Sequence, residues 1–273
     1  MRQLLVLLVP LLGLLAGSFL NVLIYRLPRG ESVAWPGSRC PACGHPLAVR
    51  DLIPLVSWLT LRGRCRYCAA SIPARYPLVE LANVLLYLAL YLRFGWRWAL
   101  LPYGLLASLL LALTFIDLDH QLLPDALTLP GLGLGLAFGL GASIAQWTGR
   151  PSPFGVSLAH LPYLFAPLSF RSGLIGAAAG AGAILLIILL SREGMGYGDA
   201  KLLAMIGAFV GWRGALASLF LGAVAGSVVG LWLLLTGRKG RRDPIPFGPF
   251  LSFGCLFLFF GDRWLLQILS WWR

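Results

Sequence analysis

The chain has 273 residues, 59% of them hydrophobic and only 12% charged. That balance excludes a soluble globule and points to an all-α polytopic membrane protein. Ten acidic against 22 basic residues leave a net charge of +12. Nucleic-acid binding would need a solvated basic surface. These cations sit in loops between apolar spans, which suits membrane orientation and contact with the lipid bilayer, with no nucleic acid as partner.

The first apolar run, 3–25, follows Met1-Arg2 and ends at Arg26 and Arg29. It is long for the apolar region of a cleaved signal peptide, so a retained transmembrane helix is expected, a domain of its own over 1–25. The segment 26–76 is a polar loop domain carrying two C-x-x-C pairs, Cys40/Cys43 and Cys65/Cys68, with 21 residues between them. Two such knuckles aim four thiolates at one tetrahedral ion, so structural zinc is expected. Four protein ligands close such a site, and the ion then holds a fold without activating water. Paired disulfides would need an oxidising compartment, and redox chemistry would not need two matched copies. A loop of about 50 residues builds only a small core, and zinc supplies the missing stability. His45 reads as a solvated neighbour. The stretch Asp51–Leu61 is apolar but too short to span, and is expected to lie against the membrane or the helical bundle.

The bundle follows over 77–273. Spans are expected at 77–93, 97–116, 126–147, 172–191, 200–212, 214–236 and 247–270, about eight in all with the first. The sixth is short, and the Gly211-Trp212-Arg213-Gly214 turn makes it and the seventh a hairpin or a partly re-entrant element. Glycine-rich faces such as 131–135 and 173–182 suit close helix packing. The proline-bearing segment 148–171 reads as an outer-face loop with an interfacial stretch near 158–165. Fourteen of the 22 Lys and Arg fall in 26–76, 192–201 and 237–243, all on one side of this topology. By the positive-inside rule that side is cytoplasmic and both termini face out.

Two acids stand out. Asp117 closes the run 105–116, and Asp199 follows the run 174–190 in GMGYGD. Both fall on the cytoplasmic side. Carboxylates at a membrane edge are costly to desolvate, so they are paired or functional. Two that meet can share a proton, one serving as base and the other as acid. The plain alternative is that each caps a helix or marks a turn. Asp119 projects about 200° from Asp117 on a helix, and Asp125 is expected to N-cap the fourth span. Gly196 and Gly198 are expected to allow unusual backbone angles and close approach of an extended substrate to Asp199. Glu80, in YPLVELAN, is a candidate for binding a substrate amine or a cation, or else an interfacial acid paired with an arginine such as Arg75. Asn21 reads as a binding residue or a helix–helix hydrogen bond. Cys255 reads as packing.

The ordered motifs GSFLNVLIYRLP (17–28), CPACGHPL (40–47), DLIPLVSWLTLRGRCRYC (51–68), IPARYPLVEL (72–81), FIDLDHQLLPDALTLP (115–130) and GMGYGDAKLLAMIGAFVGW (194–212) together resemble the type IV prepilin peptidases. These are bifunctional leader peptidases and N-methyltransferases of bacterial pilus and type II secretion systems, with the GxGD motif of membrane aspartic proteases. The resemblance implies Asp117 and Asp199 as the catalytic pair and Cys40, Cys43, Cys65 and Cys68 as zinc ligands. It implies cleavage of prepilins or pseudopilins after a glycine at the inner membrane, then methylation of the new N-terminal residue from S-adenosylmethionine. Three rival readings are a peptidase without methyltransferase activity, a proton-coupled transporter using the two aspartates, and a membrane scaffold whose zinc loop docks a partner. No dinucleotide-type glycine fingerprint marks a methyl-donor pocket.

Overall fold

The computed structural model describes residues 2–151, 154, 168–191, 195–238, 240 and 243–261, with side chains from Leu7 onward. The described residues are all-α: α1 (Arg2–Arg26), α2 (Val56–Thr60), α3 (Arg75–Phe94), α4 (Leu100–His120), α5 (Asp125–Trp147), α6 (Phe170–Ser191), α7 (Tyr197–Leu235) and α8 (Gly248–Phe260). Six of these are long and apolar enough to cross a membrane, and α8 is a shorter apolar helix. The chain forms two compact units, Met1–Trp96 and Arg97–Arg273.

In the first unit α1 packs on α3. Gly13 and Gly17, one helical turn apart, make this possible. A Cβ on Gly17 would stand 2.9 Å from the Glu80 Cα, and one on Gly13 would stand 3.0 Å from the Val84 Cα. Small residues at this spacing bring backbones close enough for interhelical hydrogen bonds. Two such bonds are present. Asn83 Nδ2 donates to the Gly13 carbonyl at 2.8 Å and Asn21 Nδ2 to the Tyr76 carbonyl at 3.1 Å. Asn21 is therefore a helix–helix fastener.

In the second unit α7 packs on α5, α6 and α8, and α8 also packs on α4. The large side chains of the first half of α7 fill faces cleared by glycines. Phe209 lies where a Cβ on Gly135 would be 2.8 Å away, and the Ala208 carbonyl is 2.8 Å from the Cβ position of Gly173. Leu202, Leu203, Met205, Ile206 and Phe209 are fully buried there, as are Leu106, Leu110, Leu113 and Ile116 of α4. The glycine stripes are thus packing surfaces, as expected.

The expected sixth and seventh spans form one helical run broken at Gly211, whose φ of 76° and ψ of 176° only glycine adopts readily. The chain doubles back there. Asp199 and Gly230 would be about 47 Å apart on a straight helix. Ile245, however, lines a cavity with Asp199 and also packs against Gly230. The third span runs four residues further than expected, to His120, so Asp117 lies inside the last helical turn. The interfacial stretch near 158–165 and the end of the eighth span beyond Gly261 lie outside the described residues.

Candidate active site and metal centre

The cysteine loop is built from two matched knuckles. Cys40 N–H donates to the His45 carbonyl and Cys65 N–H to the Ala70 carbonyl. The residue after each second cysteine turns left-handed, Gly44 with φ 71° and Ala69 with φ 57°. The four sulfurs lie within 4.8 Å of one another, and Cys40 Sγ and Cys68 Sγ are 3.8 Å apart. A tetrahedral site with zinc–sulfur bonds of about 2.3 Å has edges of about 3.8 Å, so these thiols fit the ion. The thiols share protons. A backbone hydrogen bond at Cys43 is the largest cause lowering Cys40 to about 7. At Cys68 a backbone hydrogen bond at Ala70 is outweighed by desolvation and by hydrogen bonds with the other cysteines, which push it up to about 12. It is therefore the sulfur geometry that points to the metal. His45 is exposed, as expected of a solvated neighbour, and its ring also stacks on Tyr67 with centroids 3.7 Å apart, joining the two knuckles. Asp51 accepts from Arg66 Nε at 2.7 Å, Tyr67 Oη at 2.9 Å and Ala48 N–H at 3.2 Å. The Arg66 bond is the largest cause holding its carboxyl below the usual range.

Glu80 is buried in α3. Its Oε2 accepts the Leu55 N–H at 2.7 Å, and Ser18 and Asn21 also hydrogen-bond the carboxylate. Leu55 has φ 60° and ψ −48°, and Val56 N–H donates to the Pro54 carbonyl. This is a γ-turn of the rare, strained hand. The turn points the Leu55 amide at Glu80. Glu80 therefore pins the 49–61 segment to α3, where an arginine partner or a free substrate-binding face was expected.

Asp117 and Asp199 line one cavity of about 470 Å³ in the second unit. Both are buried, at 5% and 8% exposure, and they interact electrostatically. The cavity lies among the end of α4 and its turn into α5, the first turn of α7, and the segment Pro244–Phe247. Gln121, left-handed at φ 50°, ends α4 and returns its N–H to the Asp117 carbonyl. Asp117 Oδ2 accepts the N–H of Gly248, the first residue of α8, at 2.9 Å. Asp199 Oδ2 accepts the Gly196 N–H at 3.2 Å, and Asp199 N–H returns to the Gly196 carbonyl at 3.1 Å. Each carboxylate is thus oriented by one amide at a helix N-terminus, where negative charge is favoured.

Three expectations change here. Gly196 is ordinary extended backbone, at φ −91° and ψ 153°, and Gly198 sits in the first helical turn, so neither uses unusual angles. Gly198 is needed for space instead: a Cβ there would meet Leu123 Cβ at 3.1 Å, and Leu123 Cδ2 lies 3.1 Å from the Cβ position of Gly248. Leu123 is wedged between the two glycines beside the two aspartates. Asp125 is the first residue of α5 and not its cap, which is Pro124. Its carboxylate takes Lys201 Nζ at 2.6 and 2.8 Å on the cavity wall. Asp119 is exposed, consistent with pointing away from Asp117. Cys255 is buried in α8 as packing. Gly248 escaped the sequence reading. Its signal was the Gly-Pro pair opening an apolar helix in IPFGPF.

Residues 11–94 match the family described as Bacterial Peptidase A24 N-terminal domain, and residues 104–231 match the Type IV leader peptidase family. A protein of Aeromonas hydrophila named prepilin leader peptidase/N-methyltransferase is 40% identical over 292 residues, spanning 95% of this chain and 93% of its own. The chain belongs to the type IV prepilin leader peptidase family. A protein of the same name from Pseudomonas aeruginosa is 39% identical over 280 residues, 93% of this chain and 89% of its own. One from Myxococcus xanthus is 45% identical over 239 residues, 85% of this chain but 64% of the longer Myxococcus protein. No solved structure matches the chain significantly. Membership of this family decides against the transporter and scaffold readings.

Proposed function

We propose that the chain cleaves the leader from type IV prepilins or pseudopilins after a glycine, at the cytoplasmic face of the inner membrane, and then methylates the new N-terminal residue. The observation that carries the peptidase assignment is the pair of buried carboxylates, Asp117 and Asp199, brought from α4 and α7 to one cavity. One carboxylate, ionised, takes a proton from water as the oxygen attacks the scissile carbonyl. The other, protonated, donates to that carbonyl oxygen and so stabilises the tetrahedral intermediate. Collapse of the intermediate breaks the C–N bond. The proton taken from water passes to the leaving amine, giving a leader carboxylate and a free α-amine. The Gly248 and Gly196 amides hold the two carboxylates toward the cavity, so little reorganisation is needed. The cavity's volume lies within the usual range of ligand sites, and Gly196 leaves room beside Asp199 for a peptide backbone.

Cys40, Cys43, Cys65 and Cys68 would hold zinc, which would fix the loop and take no part in hydrolysis. S-adenosylmethionine is consumed in the second reaction, as the donor of an electrophilic methyl group to the new α-amine. The arginine-rich loops set the orientation that puts the loop and both aspartates in the cytoplasm. The pairing of the two activities in the names of the relatives supports assigning both to this chain. The test is incubation of the purified protein with a leader-bearing prepilin, with and without S-adenosylmethionine, followed by intact mass. The expected products are a shortened pilin and, with the donor, one heavier by a methyl group. An unprocessed prepilin would overturn the reading.

A further inference from the structure

The stretch around α2 presents an apolar face that nothing within its own unit covers. Val49 is 84% exposed, Ile53 46%, Val56 51% and Leu59 65%. At 100° per residue Val56 and Leu59 lie about 60° apart on α2, with Trp58 on the far side. Trp58 faces the cysteine loop: its Nε1 donates to the Ile72 carbonyl at 3.1 Å, and its ring lies 3.0 Å from the Cβ position of Gly63. The element therefore has an inner face fixed to the knuckles and an outer face of aliphatic side chains. Arg50, Arg62 and Arg64 are exposed at its flanks.

Its depth is set by Glu80. That residue stands five positions inside α3, about 7.5 Å of helical rise from Arg75. Its carboxylate holds the Leu55 amide at 2.7 Å. The α3 helix is a candidate membrane span from Arg75 onward. The strained turn at Leu55 is thus tied to a candidate span, between one and two helical turns inside its Arg75 end. Aliphatic side chains at that level beside arginines match the pattern of an interfacial anchor on an anionic bilayer.

We propose that the outer face of 49–59 inserts into the headgroup–acyl boundary of the membrane that the protein spans, with Arg50, Arg62 and Arg64 against anionic phospholipid. Glu80 is the tether that sets its depth. The cysteine loop is then fastened to the bilayer surface at this point.

The full-length protein, carrying a fluorescent amino acid at Val56 or Leu59, is placed in nanodiscs of phospholipid with brominated acyl chains. A label at Ala69, on the second knuckle, serves as control, and unaltered zinc content verifies each variant's fold. The expected result is loss of emission at Val56 and Leu59 relative to unbrominated discs, with Ala69 unaffected. Quenching should be greater when the bromines are on anionic than on zwitterionic lipid. A second measurement needs no label. A lipid-soluble diazirine, photolysed in discs containing the unmodified protein, should modify 52–59 and spare 64–70. Equal emission in brominated and plain discs, or an unmodified 52–59 beside modified spans, would overturn the proposal and assign the face to a protein contact.

Discussion

Replacing Gly248 by alanine tests the orientation of Asp117 with a single methyl group. The added Cβ would stand 2.7 Å from Asp117 Oδ2 and 3.1 Å from Leu123 Cδ2. Carbon–oxygen contacts settle at about 3.3 Å, so the carboxylate must move by about 0.6 Å. Catalytic groups tolerate about 0.5 Å before geometry fails. The movement also strains the 2.9 Å bond from the Gly248 amide. Losing a hydrogen bond to a charged group costs about 1.5–3 kcal/mol, which is roughly a 10- to 150-fold loss in rate. The same bond is made in the folded state, so stability should also fall, by no more than that amount. The assay is kcat/KM on a prepilin leader substrate, beside a thermal melt in the same detergent. A fall of at least about tenfold in a variant that still melts as a folded protein above the assay temperature is expected. Activity within about threefold of wild type would refute the claim that this amide positions Asp117.

Gly198→Ala makes a gentler contact, 3.1 Å to Leu123 Cβ, and should lose less activity than Gly248→Ala in the same assay. Asp125→Asn should keep cleavage within about fivefold, because the Lys201 pair it weakens is exposed and worth at most about 1 kcal/mol. Cys40→Ser should bring bound zinc well below one per chain by metal analysis. If the loop forms part of the methyl-transfer site, methylation should then fall further than cleavage, since the hydrolytic carboxylates belong to another unit. Gly17→Leu should destabilise the first unit by about 1–3 kcal/mol through overpacking against Glu80 Cα. Limited proteolysis of the 26–76 loop should show it as faster cutting.

The six long apolar helices were legible because a candidate span needs only length and apolarity, and the break at Gly211 because glycine and a tight turn are local signals. The four cysteines were legible from spacing, since a knuckle is a local structure. Asp117 and Asp199 could be singled out because acids are rare beside apolar runs. What held them in place was not legible. The Gly248 amide reaches Asp117 across 131 positions of sequence, and no periodicity records that. Asp125 looked like a helix cap because it follows a proline and opens an apolar run. Its partner, Lys201, lies 76 positions on. Glu80 looked available for the same reason: the strained turn at Leu55 that claims it is a backbone event with no side-chain signature.

The central claim is that Asp117 and Asp199 act as one hydrolytic pair. Asparagine keeps the shape of each side chain and removes only the ionisable proton. Asp117→Asn, Asp199→Asn and wild type, purified in parallel and matched for zinc content and melting temperature, should be given the same prepilin and sampled by mass spectrometry. The account predicts that wild type removes the leader and that neither variant does. Leader removal at a rate near wild type by either intact variant would contradict it.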